Sequence, residues 1–315
     1  MTGIVILDYN NAQDTINCIE SVVKHTPREI YKLFVVENGS RQDTIDEVRR
    51  YVQQTFSLDS LVLEDGDNPD VLPFVTLLIS NNNDGFAEGN NKALRILDHD
   101  DDIDHIMILN NDILFVEDIV NPLVQYCDTL PNCGIVSATL LKNDGQNIDV
   151  NCARLDYKKM QFFWEYLFSF KDLFGILSHY TTKQRLLISH PELAQKEYFE
   201  IEMPSGSCML LKKDVFREIG YFDNRTFLYF EENILFRKMQ RRGLKNYLIP
   251  SVKCIHLGAA TTGKQSTTYF TQKCHMESNA YYLKEYCNAP LLAAYVRIMA
   301  KLTLLKIRLQ NLARR

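Results

Sequence analysis

The chain has 315 residues, of which 46% are hydrophobic and 24% are charged, and its formal net charge is −5. This length and composition predict one large α/β domain with a sizeable buried core, alone or with a helical appendage. The net negative charge excludes a protein whose whole surface binds nucleic acid.

The start of the sequence lacks the features that direct a chain to a membrane. Met1-Thr2-Gly3 leads directly into the short apolar run Ile4–Leu7, without the basic start and long apolar stretch of a secretion signal. No uninterrupted apolar run reaches the ~18 residues that a membrane span requires. The eight cysteines are scattered without a CxxC pair, which predicts reduced, mostly buried thiols. We therefore expect a cytosolic protein.

Short apolar strands alternate with amphipathic helices over the first 140 residues. The predicted strands are Ile4–Leu7, Leu33–Val36, Val75–Ile79 and Ile106–Leu109. Continuous apolar strands of this kind are typical of a mostly parallel sheet covered by helices on both faces. Because ligands bind beyond the carboxyl ends of the strands in such sheets, the polar residues that follow each strand are the candidates for a site.

This alternation stops at an aromatic-rich segment, about residues 151–202, which we expect to be a helical or loop insertion over the sheet. Its aromatic residues include Phe162, Phe163, Trp164, Tyr166, Phe168, Phe170 and Phe174. The later pattern predicts a strand at Cys208–Leu211, helices near Asp214–Ile219 and Glu231–Arg242, and a strand at Tyr247–Ile249. From Tyr269 onward the pattern is helical.

Two polar clusters follow predicted strands in the first half of the chain. Glu37-Asn38-Gly39-Ser40 follows the second strand, where Gly39 permits a tight turn and Glu37 can accept hydrogen bonds from a base or ribose. The segment from Ser80 to Asn91 follows the next strand and offers many amide groups to a polar ligand. A turn before a capped helix explains each cluster equally well, so neither identifies a ligand by itself.

Carboxylates occur at several strand and helix ends. Asn110-Asn111-Asp112 follows the fourth strand, and a carboxylate beside two amides suits a hard divalent cation that a diphosphate also binds. The acidic run Asp100–Asp104 precedes that strand and would lie at the opposite edge of the sheet, so we reject it as a metal site. Glu231-Glu232 opens a helix and either complements the helix dipole or supplies a general base. His256 follows the last predicted strand, where a lone histidine is more often structural than a ligand.

Taken in order, these segments resemble the family 2 glycosyltransferases with the GT-A fold, especially the bacterial rhamnosyltransferase-like members, from roughly Thr2 to Thr262. The segments that carry the resemblance are Leu7-Asp8-Tyr9-Asn10, Val36-Glu37-Asn38-Gly39-Ser40, Asn83-Asp84-Gly85-Phe86-Ala87-Glu88-Gly89-Asn90-Asn91, Leu109-Asn110-Asn111-Asp112, Ser205 to Leu210, Gly220-Tyr221-Phe222-Asp223 and Glu231-Glu232. The resemblance implies an α/β fold with a mostly parallel central sheet flanked by helices.

The resemblance also implies roles for these residues. Asp112 and His256 would bind Mg²⁺ or Mn²⁺, which holds the donor diphosphate, and Glu232, beside Glu231, would be the catalytic base. The residues expected to bind the donor are Tyr9, Asn10, Glu37, Asn38, Asn83, Gly85, Asn90 and Asn111. The implied enzyme is an inverting glycosyltransferase of hexosyltransferase type.

Its implied partners are a UDP- or dTDP-linked sugar and a glycan or lipid-linked acceptor of bacterial surface polysaccharide synthesis, with no nucleic acid. A GT-A catalytic domain is expected at residues 1–265, with a nucleotide-binding half at 1–115 and an acceptor and catalytic half at 116–265. A helical region would follow at residues 266–315.

The chain departs from the family pattern at two positions. Glu37 stands where the family usually has Asp, and its extra methylene could shift recognition of the base. Ile234 occupies the place of a second acid after Glu232, which leaves a catalytically impaired nucleotide-sugar-binding module as the alternative function. We expect that acid to be secondary, because two positions along a helix face different directions. A Rossmann oxidoreductase is disfavoured, because Asp8-Tyr9-Asn10-Asn11 stands where a GxGxxG motif would follow the first strand.

An apolar heptad stripe runs through the last predicted helix. It consists of Leu291, Tyr295, Ile298, Leu302, Leu305, Leu309 and Leu312. No acidic residue follows Glu285, whereas six basic residues do: Arg297, Lys301, Lys306, Arg308, Arg314 and Arg315. Three alternatives fit this pattern: packing on the catalytic domain, a homodimer seam, or contact with an anionic membrane surface. The last would make the protein peripheral at the inner face of the membrane.

Overall fold

The fold is organised around one large sheet in a computed structural model that describes residues 1–167, 183–258 and 269–313. In chain order, the strands are β1 (Thr2–Asp8), β2 (Tyr31–Glu37), β3 (Ser60–Glu64), β4 (Val75–Ile79), β5 (His105–Asn110), β6 (Ile113–Phe115), β7 (Cys133–Leu141), β8 (Ala153–Arg154), β9 (Phe199–Ile201), β10 (Met203–Pro204), β11 (Cys208–Lys212) and β12 (Lys245–His256).

The strand order along the sheet is β3-β4-β2-β1-β5-β11-β7-β12-β6, with β9 paired to β12, and β8 and β10 form a separate pair. The first five strands in this order are parallel, which confirms the predicted parallel sheet. β11 runs antiparallel to both of its neighbours, and β12 is parallel to β7. The helix between β1 and β2 connects neighbouring strands, whereas the helices after β2 and β4 cross over other strands of the sheet.

Helices cover both faces of the sheet. They are α1 (Ala12–His25), α2 (Gln42–Phe56), α3 (Gly85–Leu97), α4 (Val120–Thr129), α5 (Lys159–Leu167), α6 (Leu186–Ser189), α7 (Lys213–Glu218), α8 (Glu231–Arg241), α9 (Tyr269–Glu285) and α10 (Pro290–Ala313). One apolar core joins α1, α2 and α4 to one face, and a second joins α3, α7 and α8 to the other. Alternate residues of β1 supply the two cores: Ile4 and Ile6 belong to the first and Val5 to the second.

The prediction missed six strands, β3, β6, β7, β8, β9 and β10, and made a seventh, β12, too short. The segment at residues 151–202, predicted as helix or loop, also contains strands, and its β9 pairs with β12. β3 and β7 were not predicted: β3 is a partly exposed edge strand, and the polar Ser137 and Thr139 interrupt the apolar run of β7 although both are buried. The last predicted strand was too short, because β12 continues past Pro250 to His256. A register shift between Ile249 and Lys253 accommodates the proline, as bulges do. His256 therefore ends the strand and does not follow it.

A third apolar core connects the C-terminal helices to the rest of the molecule. Phe162 of α5, Ile234 of α8, Tyr282 of α9 and Val296 of α10 are all buried in it. Asp156 anchors this region, since its carboxylate accepts hydrogen bonds from Asn233 (2.7 Å), Arg237 (2.5 Å) and Tyr282 (2.5 Å). The three donors belong to α8 and α9, so one buried carboxylate joins these two helices.

The predicted aromatic insertion is only partly described. Phe162 is fully buried, and Phe163 stacks on Tyr295 of α10 with ring centroids 5.1 Å apart. Phe168, Phe170 and Phe174 lie outside the described residues, as does Thr262. All eight cysteines are buried and free of disulfides, as predicted.

The last helix packs on its own chain through a face that differs from the predicted stripe. Ala293, Val296 and Ala300 are buried, whereas Ile298 and Leu302 of the stripe are exposed. None of the helices within residues 1–167, 183–258 and 269–313 is long and apolar enough to cross a membrane.

Asp223 gives a testable pH dependence of stability. Burial opposes its ionisation, but hydrogen bonds from Arg225, Tyr286 and Tyr281 hold the pKa of its carboxyl well below the ordinary value of 3.8. The ionised carboxylate therefore stabilises the folded state above about pH 4, and this stabilisation is lost as pH falls toward the lower folded-state pKa.

Asp223→Asn is expected to lower the free energy of unfolding by about 2 kcal/mol at pH 7, because charged hydrogen bonds are lost. The difference from wild type should narrow as pH is lowered from about 4 toward 2. Urea unfolding across this range measures both effects. Asp214→Asn, at a carboxylate with 70% exposure, is the matched control and should change stability little at any pH. A loss that is equal for Asp223→Asn at all pH values would contradict the account.

Candidate active site

The carboxyl ends of the central parallel strands meet at one edge of the sheet. Asp8 at the end of β1 pairs with Glu37 of β2, and Leu7 pairs with Asn110 of β5. The segments that follow these strands are therefore neighbours, as the sequence predicted. The rejected acidic run is at the other end of β5, where Asp100 accepts a hydrogen bond from Lys32 at 2.7 Å.

Asp8 and Glu37 form a buried pair of carboxyl groups. Burial raises the pKa of Glu37 to about 7, and the nearby Asp8 charge adds to this. Burial also raises the pKa of Asp8. Glu37 Oε2 accepts a hydrogen bond from the Ser40 amide at 3.0 Å, while Oε1 is buried without a partner among the described residues. Glu37 is fully buried, so its side chain does not contact a base in this conformation.

Several amides of the Asn-rich segment hold the backbone of the site. Asn38 donates to the Asn83 side chain and to the Gly85 carbonyl, both at 3.1 Å, and accepts from the Asp84 amide. Asn91 exchanges two hydrogen bonds with the backbone of Phe222, at 3.0 and 3.1 Å. The Asn91 pairing joins two of the motifs that the sequence analysis had treated separately.

Asn90 and Asn111 differ in how their side chains are used. The Asn90 amide nitrogen donates to the Phe86 carbonyl at 2.8 Å, and its buried oxygen has no partner among the described residues. The Asn111 amide nitrogen donates to Asp8 at 2.9 Å and to Thr15 at 3.0 Å. The side-chain nitrogen of Asn111 therefore bonds within the protein. The predicted contact of Asn111 with the donor would have to use its side-chain oxygen or its backbone groups.

Tyr9 and Asn10 lie on the rim of this edge. The Tyr9 side chain is exposed. Asn10 has a φ of 58°, its amide donates to Ser40 at 2.7 Å, and its side-chain oxygen accepts from the Arg41 amide at 2.9 Å. Asn10 thus links the loop after β1 to the loop after β2. The exposed Tyr9 side chain can contact a ligand at this edge of the sheet.

Gly85 is required by its backbone conformation and by a close approach. Its φ is +82°, and a Cβ there would lie 2.1 Å from the Phe227 carbonyl oxygen. Gly85→Ala is expected to lower the free energy of unfolding by about 3 kcal/mol or more, from left-handed strain and overpacking together. Gly220, with a φ of +74° and open space around it, provides the matched control.

Gly220→Ala should cost only the strain, about 1–2 kcal/mol. Urea unfolding of both variants measures the difference. Equal losses would show that the approach of Phe227 to Gly85 contributes nothing.

Asp112 and His256 lie together in a cavity of about 550 Å³. His256 Nε2 is 3.4 Å from Asp112 Oδ2, and His256 Nδ1 is 3.5 Å from Asp149 Oδ2. Burial opposes protonation of His256, but the hydrogen bonds with Asp112 and Asp149 raise its pKa to about 9. Asp112 Oδ1 is buried without a partner among the described residues, so a cation ligand is available there.

Within the described ranges, no group of three or more His, Cys, Asp or Glu side chains is arranged to hold a metal ion. Asp112 Oδ1 nevertheless suits a hard cation, because it is a carboxylate oxygen with no hydrogen-bond partner among the described residues. The sequence analysis missed Asp149. Its position depends on the turn that pairs Leu141 with Ile148. Asp144-Gly145 indicates a turn there, but not that the turn brings Asp149 to His256.

Glu232 lies in a second cavity, of about 250 Å³. Its Oε1 accepts a hydrogen bond from the Gly206 amide at 3.1 Å and is 3.7 Å from Arg154 Nη2. Arg154, which the sequence analysis also missed, is placed by the pairing of the two-residue strand β8 with β10.

Two residues immediately before α8 have left-handed backbone conformations. Tyr229 and Phe230 have φ values of 74° and 71°, which are strained for aromatic residues. Glu231 is buried, and burial together with the Glu232 charge raises its pKa to about 8. Ile234 lies in the C-terminal core, which confirms the prediction that it faces away from Glu232.

The two cavities adjoin each other. Asn110 and Ser207 line both, and the Asn110 side chain donates to Ser207 Oγ at 3.1 Å. A ligand that filled the Asp112 cavity would therefore reach the entrance of the Glu232 cavity. Phe86, Tyr157, Tyr229 and Phe230 contribute aromatic surface to the second cavity.

Comparisons of sequence and structure relate this chain to known enzymes. Over 81 residues, 26% of this chain, the sequence is 30% identical to an N-acetylglucosaminyl-diphospho-decaprenol L-rhamnosyltransferase of Mycobacterium tuberculosis, and the match spans 26% of that protein's length. The structure resembles that of GalNAc-T7 with UDP, GalNAc and Mn²⁺ at 13% identity and a TM-score of 0.57, over 90% of this chain and 49% of the other.

It also resembles the mannosyltransferase PcManGT from Pyrobaculum calidifontis in complex with GDP-Man and Mn²⁺, at 15% identity and a TM-score of 0.52. That likeness covers 99% of this chain and 79% of the other. Residues 3–220 match the model of the family described as "Glycosyl transferase family 2". Because this match covers most of the sequence and the structural neighbours share the fold, the chain belongs to glycosyl transferase family 2 and has the GT-A fold.

Proposed function

We propose that this protein transfers a sugar from a nucleoside diphosphate, UDP or dTDP, to an acceptor hydroxyl with inversion at the anomeric carbon. The observation that carries the proposal is that Asn110 and Ser207 line both cavities. Two cavities that share a wall suit one ligand that extends from Asp112 toward Glu232. Membership of the glycosyltransferase family supports sugar transfer as the reaction.

The Asp112 cavity is proposed to receive the donor diphosphate with Mg²⁺ or Mn²⁺. Asp112 and His256 would hold the cation, and His256 would first release the proton that Asp112 and Asp149 stabilise. The Asp112 oxygen that has no partner among the described residues supports this assignment. The chemistry that a bound cation supplies there is neutralisation of charge on the leaving nucleoside diphosphate. The Mn²⁺ in the two solved relatives is consistent with a divalent cation in this fold.

Glu232 is proposed as the general base that accepts the proton of the attacking hydroxyl. Burial and the Glu232 charge raise the pKa of Glu231 to about 8, so Glu231 holds its proton near neutral pH and is not the proposed base. The Gly206 amide and Arg154 orient the Glu232 carboxylate. Attack from the Glu232 side, opposite the leaving group, inverts the anomeric configuration.

The Glu232 cavity is proposed to bind the acceptor. Its walls include Phe86, Tyr157 and Tyr229, and aromatic side chains suit the apolar faces of sugar rings. A glycan or lipid-linked acceptor of bacterial surface polysaccharide synthesis fits the curated relative, whose name specifies a diphospho-decaprenol acceptor. On this proposal, residues 1–265 form the catalytic domain and residues 266–315 a helical region attached to its acceptor side.

The stereochemistry of donor hydrolysis tests the proposed displacement without knowledge of the acceptor. The full chain is incubated with Mn²⁺ and the nucleotide sugar whose nucleotide it binds, and the sugar released to water is observed by proton NMR before it mutarotates. The expected first product has the anomeric configuration opposite to that of the donor. A first product with the donor's configuration would contradict the role given to Glu232.

A further inference from the structure

The outer face of α10 exposes a row of apolar side chains. Leu291, Ile298, Leu302 and Leu305 are all more than half exposed, at 87%, 61%, 56% and 54%. At about 100° per residue, they lie within about 40° of Ile298 around the helix axis. We call these four residues the outer stripe.

The helix does not need the outer stripe to attach to its own chain. Ala293, Val296 and Ala300 lie on the opposite side of α10 and are buried in the C-terminal core. Tyr295 adds a stacking contact with Phe163 of α5. We call the side of α10 that carries Ala293, Val296 and Ala300 its inner face. Packing on the catalytic domain, one of the three alternatives that the sequence left open, uses this inner face and leaves the outer stripe exposed.

Basic side chains border the outer stripe. Arg297, Lys301 and Arg308 are exposed and lie about 60–100° to one side of Ile298. The sequence from Tyr286 to Arg315 contains no Asp or Glu. An exposed apolar row beside basic residues alone has the charge and shape that suit the surface of an anionic bilayer.

A second copy of this chain is a poor partner for the same face. In heptad terms Lys301 and Arg308 occupy g positions and Lys306 an e position, if Ile298 and Leu305 are d positions. A parallel pair would place Lys301 of one helix against Lys306 of the other, and an antiparallel pair would also align basic residues only. Both arrangements bring like charges together, because this segment has no acidic residue to balance them.

We propose that the outer stripe of α10 lies in the headgroup region of an anionic lipid bilayer, with Arg297, Lys301 and Arg308 paired with lipid phosphates. The helix would lie parallel to the membrane, with its inner face still packed on the protein. Lipid headgroups complement the basic border of the stripe, which a second copy does not.

This membrane contact would bring the acceptor cavity close to the bilayer, a step that rests on the proposed function. Tyr157 and Phe230 line that cavity, and both also contact the C-terminal core into which α10 packs. His275 of α9 lines the cavity as well. The wall of the cavity and the membrane-facing helix are therefore parts of one packed unit, which suits an acceptor that is itself anchored in the lipid.

Vesicle flotation of the full chain tests the proposal without donor or acceptor. We expect binding to vesicles of phosphatidylcholine with about one-third phosphatidylglycerol, weaker binding at high salt, and little binding to phosphatidylcholine alone. Ile298→Glu combined with Leu302→Glu should reduce binding at least tenfold, because it places acids in the apolar row. The matched control, Leu58→Glu combined with Val71→Glu, changes two exposed apolar residues elsewhere and should bind like wild type.

A second pair of variants separates charge from apolar contact. Arg297→Gln, Lys301→Gln and Arg308→Gln together should lower the affinity for anionic vesicles roughly 100-fold, whereas Lys24→Gln, Arg50→Gln and Lys196→Gln should not. Equal binding by the stripe variant and its control would overturn the proposal. The proposal would also be overturned if wild type did not bind the anionic vesicles. It would be overturned as well if sedimentation showed a wild-type dimer that the stripe variant, but not its control, converts to monomer. Nucleotide binding, measured without vesicles, reports on the transferase site independently, so failure of one proposal is distinguishable from failure of the other.

Discussion

Glu232→Gln is expected to lower the turnover of the donor about 1000-fold, because an amide cannot accept the proton of the attacking hydroxyl. The substitution preserves the volume of the side chain, and its oxygen can still accept the hydrogen bond from the Gly206 amide. Glu232 lines the second cavity and not the Asp112 cavity, so nucleotide binding should be unchanged. The expected signature is a fall in kcat with little change in the affinity for the nucleotide.

Release of nucleoside diphosphate under saturating donor measures this effect, and calorimetry measures nucleotide affinity. Glu277→Gln, at an α9 carboxylate with 66% exposure, provides the matched control and should retain wild-type turnover. Turnover by Glu232→Gln within a few-fold of wild type would exclude Glu232 as the base. Loss of nucleotide affinity in the same variant would mean that Glu232 serves the donor site.

Asp112→Asn is expected to remove the effect of Mn²⁺ on nucleotide binding and to lower donor turnover about 1000-fold, the effect of several kcal/mol of lost charge stabilisation. The reason is that Asp112 Oδ1 is the buried, unpartnered oxygen of the proposed cation site. An amide oxygen in its place carries no charge and is a much weaker ligand for a hard cation. Nucleotide binding without metal should change far less.

Calorimetric titration of nucleotide with and without Mn²⁺ measures this loss. Asp101→Asn, in the exposed acidic run before β5, is the matched control and should behave like wild type. A variant Asp112→Asn that keeps the full effect of Mn²⁺ would place the cation elsewhere. Full donor turnover by Asp112→Asn would show that the reaction does not depend on Asp112.

The sequence predicted the parallel half of the sheet and the neighbourhood of Glu37 and Asp112 because both follow from local pattern. Apolar strands separated by amphipathic helices determine a parallel order, and the carboxyl ends of such strands meet at one edge. The assignment of Glu232 and His256 came from the resemblance to the family. Their separation from Asp112 along the sequence gives no local indication of proximity.

Residues that depend on distant pairing could not be predicted. Arg154 reaches Glu232 only because a two-residue strand pairs with Met203 and Pro204, and Asp149 reaches His256 only through a turn after β7. The Asn-rich segment shows a related limit. Asn38 and Asn91 hold the backbone, whereas the Asn90 side-chain oxygen has no partner in the part of the chain that the structure describes. The same side-chain chemistry suits both tasks.

The most direct test of the central claim is a thermal-shift series on the full chain with UDP, dTDP, GDP and CDP, each with and without Mn²⁺. A ligand that binds the folded state raises Tm once its concentration exceeds its dissociation constant. The account predicts that one uridine or thymidine diphosphate raises Tm in the presence of Mn²⁺ and much less in its absence. If none of the four nucleotides shifts Tm of the folded protein with the metal present, the cavity at Asp112 is not a nucleoside-diphosphate site and the proposed transferase mechanism is wrong.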